Sequence, residues 1–422
     1  MLLKNFFKNI LLYSFSANDL VQAAKRIKDD RIVADKNHKF SYSDKTPVEI
    51  KSEIKKGGEG SLYHINESGM VAKIFSSVTK AAQKQRKIEY MVANNPHIDG
   101  LCWPEKLIFS AKGDFAGYVM PEFEGSELTT SVLKANNQYM RAQMSGSWQR
   151  KELVSVCLKI AELEAKLQKN GIKVGDVNSR NIMVNNADPN KLAFVDCDSY
   201  EFGEFKCTVG TPEYVSPYII DRIKSKNIDF KNVYRDMDDE NYAFAVLFLQ
   251  ILMLDYHPMD KLNHNNNIIE AIKNHSFAFE YKDISLPEHS ARGLQQRIWH
   301  NMDDDVKNAF ARTFKAYRVY SMDEWINLFE KYIEKLEKGE CDNEISPEKY
   351  VSRFSGEYKN IKCYICNQNR NILRTKFEEM DNNKTIIYCD DCAFLAEDWK
   401  KEVNSAQKEC DKCGKTEKSR VR

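Results

Sequence analysis

An α+β fold is predicted for this chain of 422 residues, on three observations. An early run of β-prone segments is broken by a glycine cluster and followed by a helical stretch. Further on, helical segments such as ENYAFAVLFLQILM and WINLFEKYIEKLEKGE dominate. Near the C-terminus, six of the eleven cysteines stand as three C-x-x-C pairs. With 42% hydrophobic residues, the chain is long enough for two or three domains with sizeable cores. Its 63 basic and 62 acidic residues leave a net charge of +1, so no strong field steers it toward nucleic acid or a membrane.

Residues 1–45 read as an N-terminal extension. MLLKNFFKNILLYSF is apolar on one face, interrupted by Lys4 and Lys8, and no small-residue cleavage site follows. It is expected to be an amphipathic helix docked on the protein, followed by a basic stretch around Lys25 to Lys28 and a polar linker. No run of 18 or more apolar residues occurs, so no transmembrane helix is expected.

The segment EIKKGGEGSLYHINESGMVAKIF reads as strand, tight turn, strand, with Gly57, Gly58 and Gly60 at the turn and Leu62 just beyond. Glycines there let backbone N–H groups approach phosphates, and Lys73 on the next strand supplies a point charge for them. In the helical stretch KAAQKQRKIEYMVANN that follows, Glu89 is expected to face inward and pair with Lys73.

In GDVNSRN and FVDCD, Asp176, Asn181 and Asp196 stand at the spacing of a Mg-ATP phosphoryl-transfer site. Moving a γ-phosphoryl group asks for little covalent chemistry but requires metal ions, a positioned hydroxyl and neutralised phosphate charge. Hard cations take oxygen ligands, here Asn181 and Asp196, with Mg²⁺ or Mn²⁺ as the ion. Asp176 then remains to accept the proton of the acceptor hydroxyl.

In this order and spacing, residues from about 48 to 335 resemble a eukaryotic-type (Hanks-type) protein kinase domain as these occur in bacteria. The resemblance implies a bilobal fold. Residues 46–123 form a small lobe of antiparallel strands plus one helix, and 124–338 a large, mainly helical lobe. GYVMPEFEG looks like the hinge between them, with Met120 as gatekeeper and Pro121 and Phe123 beside the adenine of ATP. GTPEYVSP is similar to the loop that positions a peptide acceptor, with Thr211 where Ser/Thr kinases place a threonine near the catalytic Asp. GDxNxRN-type loops are similar to those of kinases from bacterial stress and tellurite-resistance gene clusters.

Departures from the family pattern are equally specific. Lys55 replaces the first glycine of the glycine-rich loop. Val174-Gly175 replaces the usual His-Arg, removing the arginine that would answer an activation-loop phosphate. Asn178 takes the place of a lysine near the transferring phosphate, with Arg180 the nearest substitute. Asp196-Cys197-Asp198 keeps the metal ligand of D-F-G and loses its glycine, and Asp198 is expected to cap the next turn. G-D-x-x-x-x-N is also similar to small-molecule kinases of the aminoglycoside and choline type, and the losses leave a nucleotide-binding pseudokinase scaffold as a further reading.

After a polar linker (339–358), residues 359–422 hold Cys363 and Cys366, Cys389 and Cys392, and Cys410 and Cys413. Two such pairs separated by 22 residues suit one tetrahedral Zn²⁺, each turning a knuckle that aims both sulfurs at the metal. RTKFEEM and KTIIYC are expected to pair as a hairpin around Asp381 to Asn383, with a helix AFLAEDWKKEV after the second knuckle. That order resembles a treble-clef or ribbon zinc finger, in which metal substitutes for a core that some sixty residues cannot build. Cys410 and Cys413 either join Cys363 and Cys366, share a metal across a dimer, or remain thiols. The expectation is a cytoplasmic, ATP- and Mg²⁺-dependent Ser/Thr protein kinase acting on protein substrates, with a finger that recruits protein rather than nucleic acid.

Overall fold

The computed structural model describes residues 30–34, 39–131, 148–185, 187–259, 266–279, 298–316, 318–345, 358–365, 369–383 and 386–388. The expected N-terminal amphipathic helix, at 1–15, lies outside them.

Seven antiparallel strands form the first sheet: β1 (Phe40–Ser41), β2 (Pro47–Val48), β3 (Ile50–Lys56), β4 (Gly60–Ile65), β5 (Met70–Phe75), β6 (Lys106–Ser110) and β7 (Phe115–Pro121). Their order is β2-β1-β6-β7-β5-β4-β3. Helix α1 (Val78–Ala93) follows β5 and starts where the Ser77 side chain accepts the Lys80 N–H. It buries Ala81, Ile88 and Met91, the period of a helix with one apolar face, and the Trp103 indole N–H donates to the Met91 carbonyl at its end.

Close strand approach dictates Gly117 in the middle of β7. A Cβ there would sit 2.0 Å from the Lys73 carbonyl oxygen. Tyr118 beside it is paired with Lys73 in register and is completely buried.

A mainly helical body follows. Strands β8 (Ser126–Glu127), β9 (Ile182–Val184) and β10 (Leu192–Phe194) make a small sheet in the order β10-β9-β8. Around it are α2 (Arg150–Lys169), α3 (Pro217–Lys226), α4 (Met237–Leu252), α5 (Ile268–Lys273), α6 (Asp304–Ala316) and α7 (Met322–Glu337). Helix α4 is buried on all sides from Asp239 to Leu252, as its continuous apolar run requires, and a capping box of Asp236 and Asp239 closes its N-terminus. Phe248 of α4 meets Trp325 and Phe329 of α7 edge-on, with centroids 5.6 and 5.1 Å apart. An antiparallel sheet with one helix, continued by this helical body, fits the two-lobed α+β arrangement.

The first residues of the expected linker are tied down. Asn343 accepts the Arg150 N–H through its carbonyl and the Lys151 N–H through its side chain. The Arg150 guanidinium is fully buried and donates to the carbonyls of Leu252, Ile298 and Ile345.

The C-terminal region departs from expectation. RTKFEEM is not a strand: residues Arg374–Asn382 form helix α8, and the hairpin pairs β11 (Tyr358–Lys362) with β12 (Asn369–Leu373). A short segment can satisfy either period, and here tertiary packing of Met380 against Ile361 and Cys363 favours the helix. The expected helix AFLAEDWKKEV lies outside the described residues.

Gly117→Ala is expected to destabilise the strand-rich half by about 1–3 kcal/mol, the cost of overpacking at a close contact. Chemical denaturation of the purified chain measures it.

Candidate active site

The turn between β3 and β4 is closed by Gly57, whose N–H donates to the Gly60 carbonyl at 2.8 Å. Gly60 is required by space, since a Cβ would lie 2.2 Å from the Ile74 carbonyl oxygen. Lysines of α1 hold this turn from the side: Lys80 Nζ donates to the Gly58 carbonyl at 2.7 Å, and Lys84 Nζ lies 3.3 Å from Glu59 Oε2. Lys55, at the missing first glycine, reaches across to an ion pair with Glu127. Leu62 stands opposite Lys73 in the β4–β5 register.

Lys73 is buried, and its ammonium lies 2.5 Å from Asp196 Oδ1 and 2.7 Å from Asp198 Oδ1. Burial opposes the charge, but the two carboxylates outweigh it and hold the lysine above its ordinary range. Glu89 is not its partner. It lies on the exposed face of α1 and accepts from Gln85 Nε2 at 2.7 Å. Helical phase explains the difference: Ala81, Ile88 and Met91 define the inward stripe, and one residue past Ile88 turns about 100° away. From this helix the residue that approaches the site is Lys84, with Nζ 3.6 Å from Asp198 Oδ2.

Asp198 is not a turn cap. Its side chain is buried and accepts from Lys73 and, at 2.8 Å, from the Tyr118 hydroxyl. Burial raises its carboxyl pKa, yet Lys73 and Lys84 bring it well below the usual carboxylate range. Asp196 occupies the left-handed region at φ 59°, uncommon for a non-glycine residue, and its carboxyl is pushed up by burial and by Asp198 against the pull of Lys73. Its Val195 neighbour donates its N–H to the Asn181 carbonyl at 2.9 Å, which fixes the two expected metal ligands beside one another.

Asp176 Oδ1 accepts the Thr211 hydroxyl at 2.9 Å, so the chain's own threonine occupies the acceptor position of that carboxylate. The Asp176 carbonyl accepts both Asn178 Nδ2 and Asn181 Nδ2 at 3.1 Å. With its amide nitrogen so committed, Asn181 keeps Oδ1 for a cation. Asn178 serves as a cap for the Arg180 N–H, and the Arg180 side chain is exposed. Met120 is buried at the end of β7, Pro121 pairs with Met70, and Phe123 is half-buried against the main core. This donor set, with two carboxylates, an amide oxygen and a lysine around a glycine turn, suits a Mg²⁺-nucleotide.

Two residues that sequence reasoning missed hold the loop before Asp176. Glu240 accepts the Val174 N–H at 2.5 Å and the Gly175 N–H at 3.1 Å. The Arg235 guanidinium donates to the Gly175 and Val209 carbonyls and packs on the Phe230 ring at 4.5 Å. Gly175 itself has φ 73°, and a Cβ there would strike Cys207 at 2.6 Å. The acidic start of α4 was the one available signal.

No family model matches the chain. Over 251 residues it is 26% identical to protein kinase YegI of Escherichia coli O157:H7, and equally to protein kinase YegI of Escherichia coli strain K12. The chain is similar to a protein kinase. The match takes in 58% of this chain and only 37% of each relative's length. Among the described residues, no helix is long and apolar enough to cross a membrane.

Of the six paired cysteines, Cys363 is described: it is buried among Ile361, Met380 and Tyr388. Cys366, Cys389, Cys392, Cys410 and Cys413 lie outside the described residues.

Behind the loop, Glu164 of α2 and Glu240 are both fully buried. Burial pushes Glu240 up to about 7 against the two backbone N–H groups, and burial with the Glu240 charge pushes Glu164 up as well. In the folded state these acids keep protons that the unfolded chain releases near 4.5, so their contribution to stability falls as pH rises from there toward 7. Glu164→Gln is therefore expected to raise the melting temperature at pH 8 by more than at pH 5, as read by thermal denaturation at both.

Proposed function

We propose that the chain catalyses ATP- and Mg²⁺-dependent phosphoryl transfer to Ser or Thr hydroxyls of protein substrates. The observation that carries this reading is the Thr211 hydroxyl on Asp176 Oδ1 at 2.9 Å, a carboxylate already engaged with a threonine in the way a general base engages its acceptor. Lys73 would hold the α and β phosphates, Asp196 and Asn181 the metal, and the turn from Gly57 to Gly60 would cover the phosphates. Met120, Pro121 and Phe123 would line the adenine side. Mg²⁺ held by Asp196 and Asn181 would supply charge neutralisation for the phosphoryl transfer. Similarity to protein kinase YegI supports the phosphoryl-transfer class.

Asp176→Asn is expected to reduce label transfer from γ-labelled ATP to a generic basic protein by about 10³-fold or more, with Mg-ATP binding retained. Transfer to an aminoglycoside instead would mark a small-molecule kinase, and binding without any transfer a pseudokinase scaffold.

Residues 359–422 we read as a zinc-binding module that recruits a protein partner or substrate. The Tyr364 N–H donates to the Ile387 carbonyl at 2.9 Å, which brings the segment after Cys363 alongside the one leading to Cys389. Thiolate ligands and an ATP substrate together suit the reducing cytoplasm. Metal analysis is expected to give one Zn²⁺ per chain, lost in Cys363→Ser, with Cys410→Ser deciding whether the third pair takes part.

A further inference from the structure

The helix that packs against the sheet brings no carboxylate to Lys73. It brings Lys84, a charge of the opposite sign. The anions for Lys73 come instead from the expected metal ligand Asp196, at 2.5 Å, and from Asp198 two residues beyond it, where the resemblance expects a glycine. Three contacts fix that carboxylate in the interior: Lys73 Nζ at 2.7 Å, the Tyr118 hydroxyl at 2.8 Å and Lys84 Nζ at 3.6 Å. Lys84 extends the chain of charges to Glu59 at 3.3 Å, inside the glycine turn. Five elements are joined in this way: the turn, α1, β5, β7 and the segment after β10.

We propose that Asp198 is the positioning residue for Lys73, and that Lys84 couples this anchor to the glycine turn. Sign decides between this role and a passive one. A buried carboxylate with only a hydroxyl partner would be costly; placed between the buried Lys73 ammonium and the partly exposed one of Lys84, it is the central and most buried member of a +/−/+ cluster. Lys73 is oriented from the β10 side and from Tyr118 on β7. The carboxylate and its hydroxyl partner are both buried, so the contacts that orient the ammonium are formed without a nucleotide. This rests on the phosphoryl-transfer reading above.

The test uses the full chain, with transfer kinetics and Mg-ATP calorimetry run side by side. Asp198→Asn, which keeps the shape and the Tyr118 contact, is expected to lower kcat/KM for ATP by about 10²-fold and to weaken Mg-ATP binding, at an unchanged Mg²⁺ requirement. Asp198→Gly combined with Lys84→Glu moves the anion onto the helix and is expected to recover at least about tenfold over Asp198→Gly alone. Should Asp198→Asn fail to fold, Lys84→Glu alone, at a partly exposed position, is expected to cost about tenfold in kcat/KM. Three results overturn the proposal while leaving the kinase reading intact, given wild-type transfer that is lost in Asp176→Asn. They are Asp198→Asn or Lys84→Glu within about twofold of wild type, a double variant no better than Asp198→Gly, and an Asp198→Asn defect confined to the Mg²⁺ concentration needed. A wild-type chain that neither binds Mg-ATP nor transfers label overturns both.

Discussion

Burial of the Lys73 ammonium is the constraint around which the rest of the site is arranged. An isolated charge in that position would be expensive to desolvate, so the interior must supply anions at hydrogen-bond distance. Asp196 and Asp198 do so from one short turn, at 2.5 and 2.7 Å. Because both carboxylates come from the same turn, β5 and the segment after β10 are held together electrostatically. The Tyr118 hydroxyl and Lys84 then offset the second negative charge. Local backbone geometry complies, with Asp196 in the left-handed region, a conformation that persists only where surroundings over-determine it.

A comparable economy holds the loop that carries Asp176. Where the resemblance expects His-Arg, the chain has Val174 and Gly175, with no side-chain hydrogen-bonding group to give. Their backbone groups are engaged instead: the N–H groups by Glu240, the Gly175 carbonyl by Arg235. Arg235 also takes the Val209 carbonyl, two residues before Thr211. The guanidinium that bridges these segments is thus occupied by neutral backbone acceptors, and it ties the segment leading to Thr211 to the loop before Asp176. Glu240 is anchored in a helix buried from Asp239 to Leu252, so the loop is referenced to the main core rather than to the surface.

Much of this was legible in the residues. The strand–turn–strand–helix run and the apolar helix Met237–Leu252 follow from periodicity and turn chemistry, which are local signals, while the approach of Thr211 to Asp176 is what the family resemblance implied. Errors arose where a single residue's facing mattered. One position along a helix rotates a side chain by about 100°, so Glu89 points to solvent while Lys84 approaches the site. RTKFEEM carries enough alternation to pass for a strand, and the packing of Met380 selected a helix.

By itself, then, the sequence determined the α+β class, the residue types of the proposed metal–nucleotide site and their order along the chain, because these depend on composition and near-neighbour spacing. Only the tertiary structure decided which charges meet. Lys73 and Asp198 are 125 residues apart, and Val174 and Glu240 are 66 apart. Partners at such distances are chosen by how elements pack and by the cost of leaving a buried charge alone, and neither is written in any short stretch of the chain.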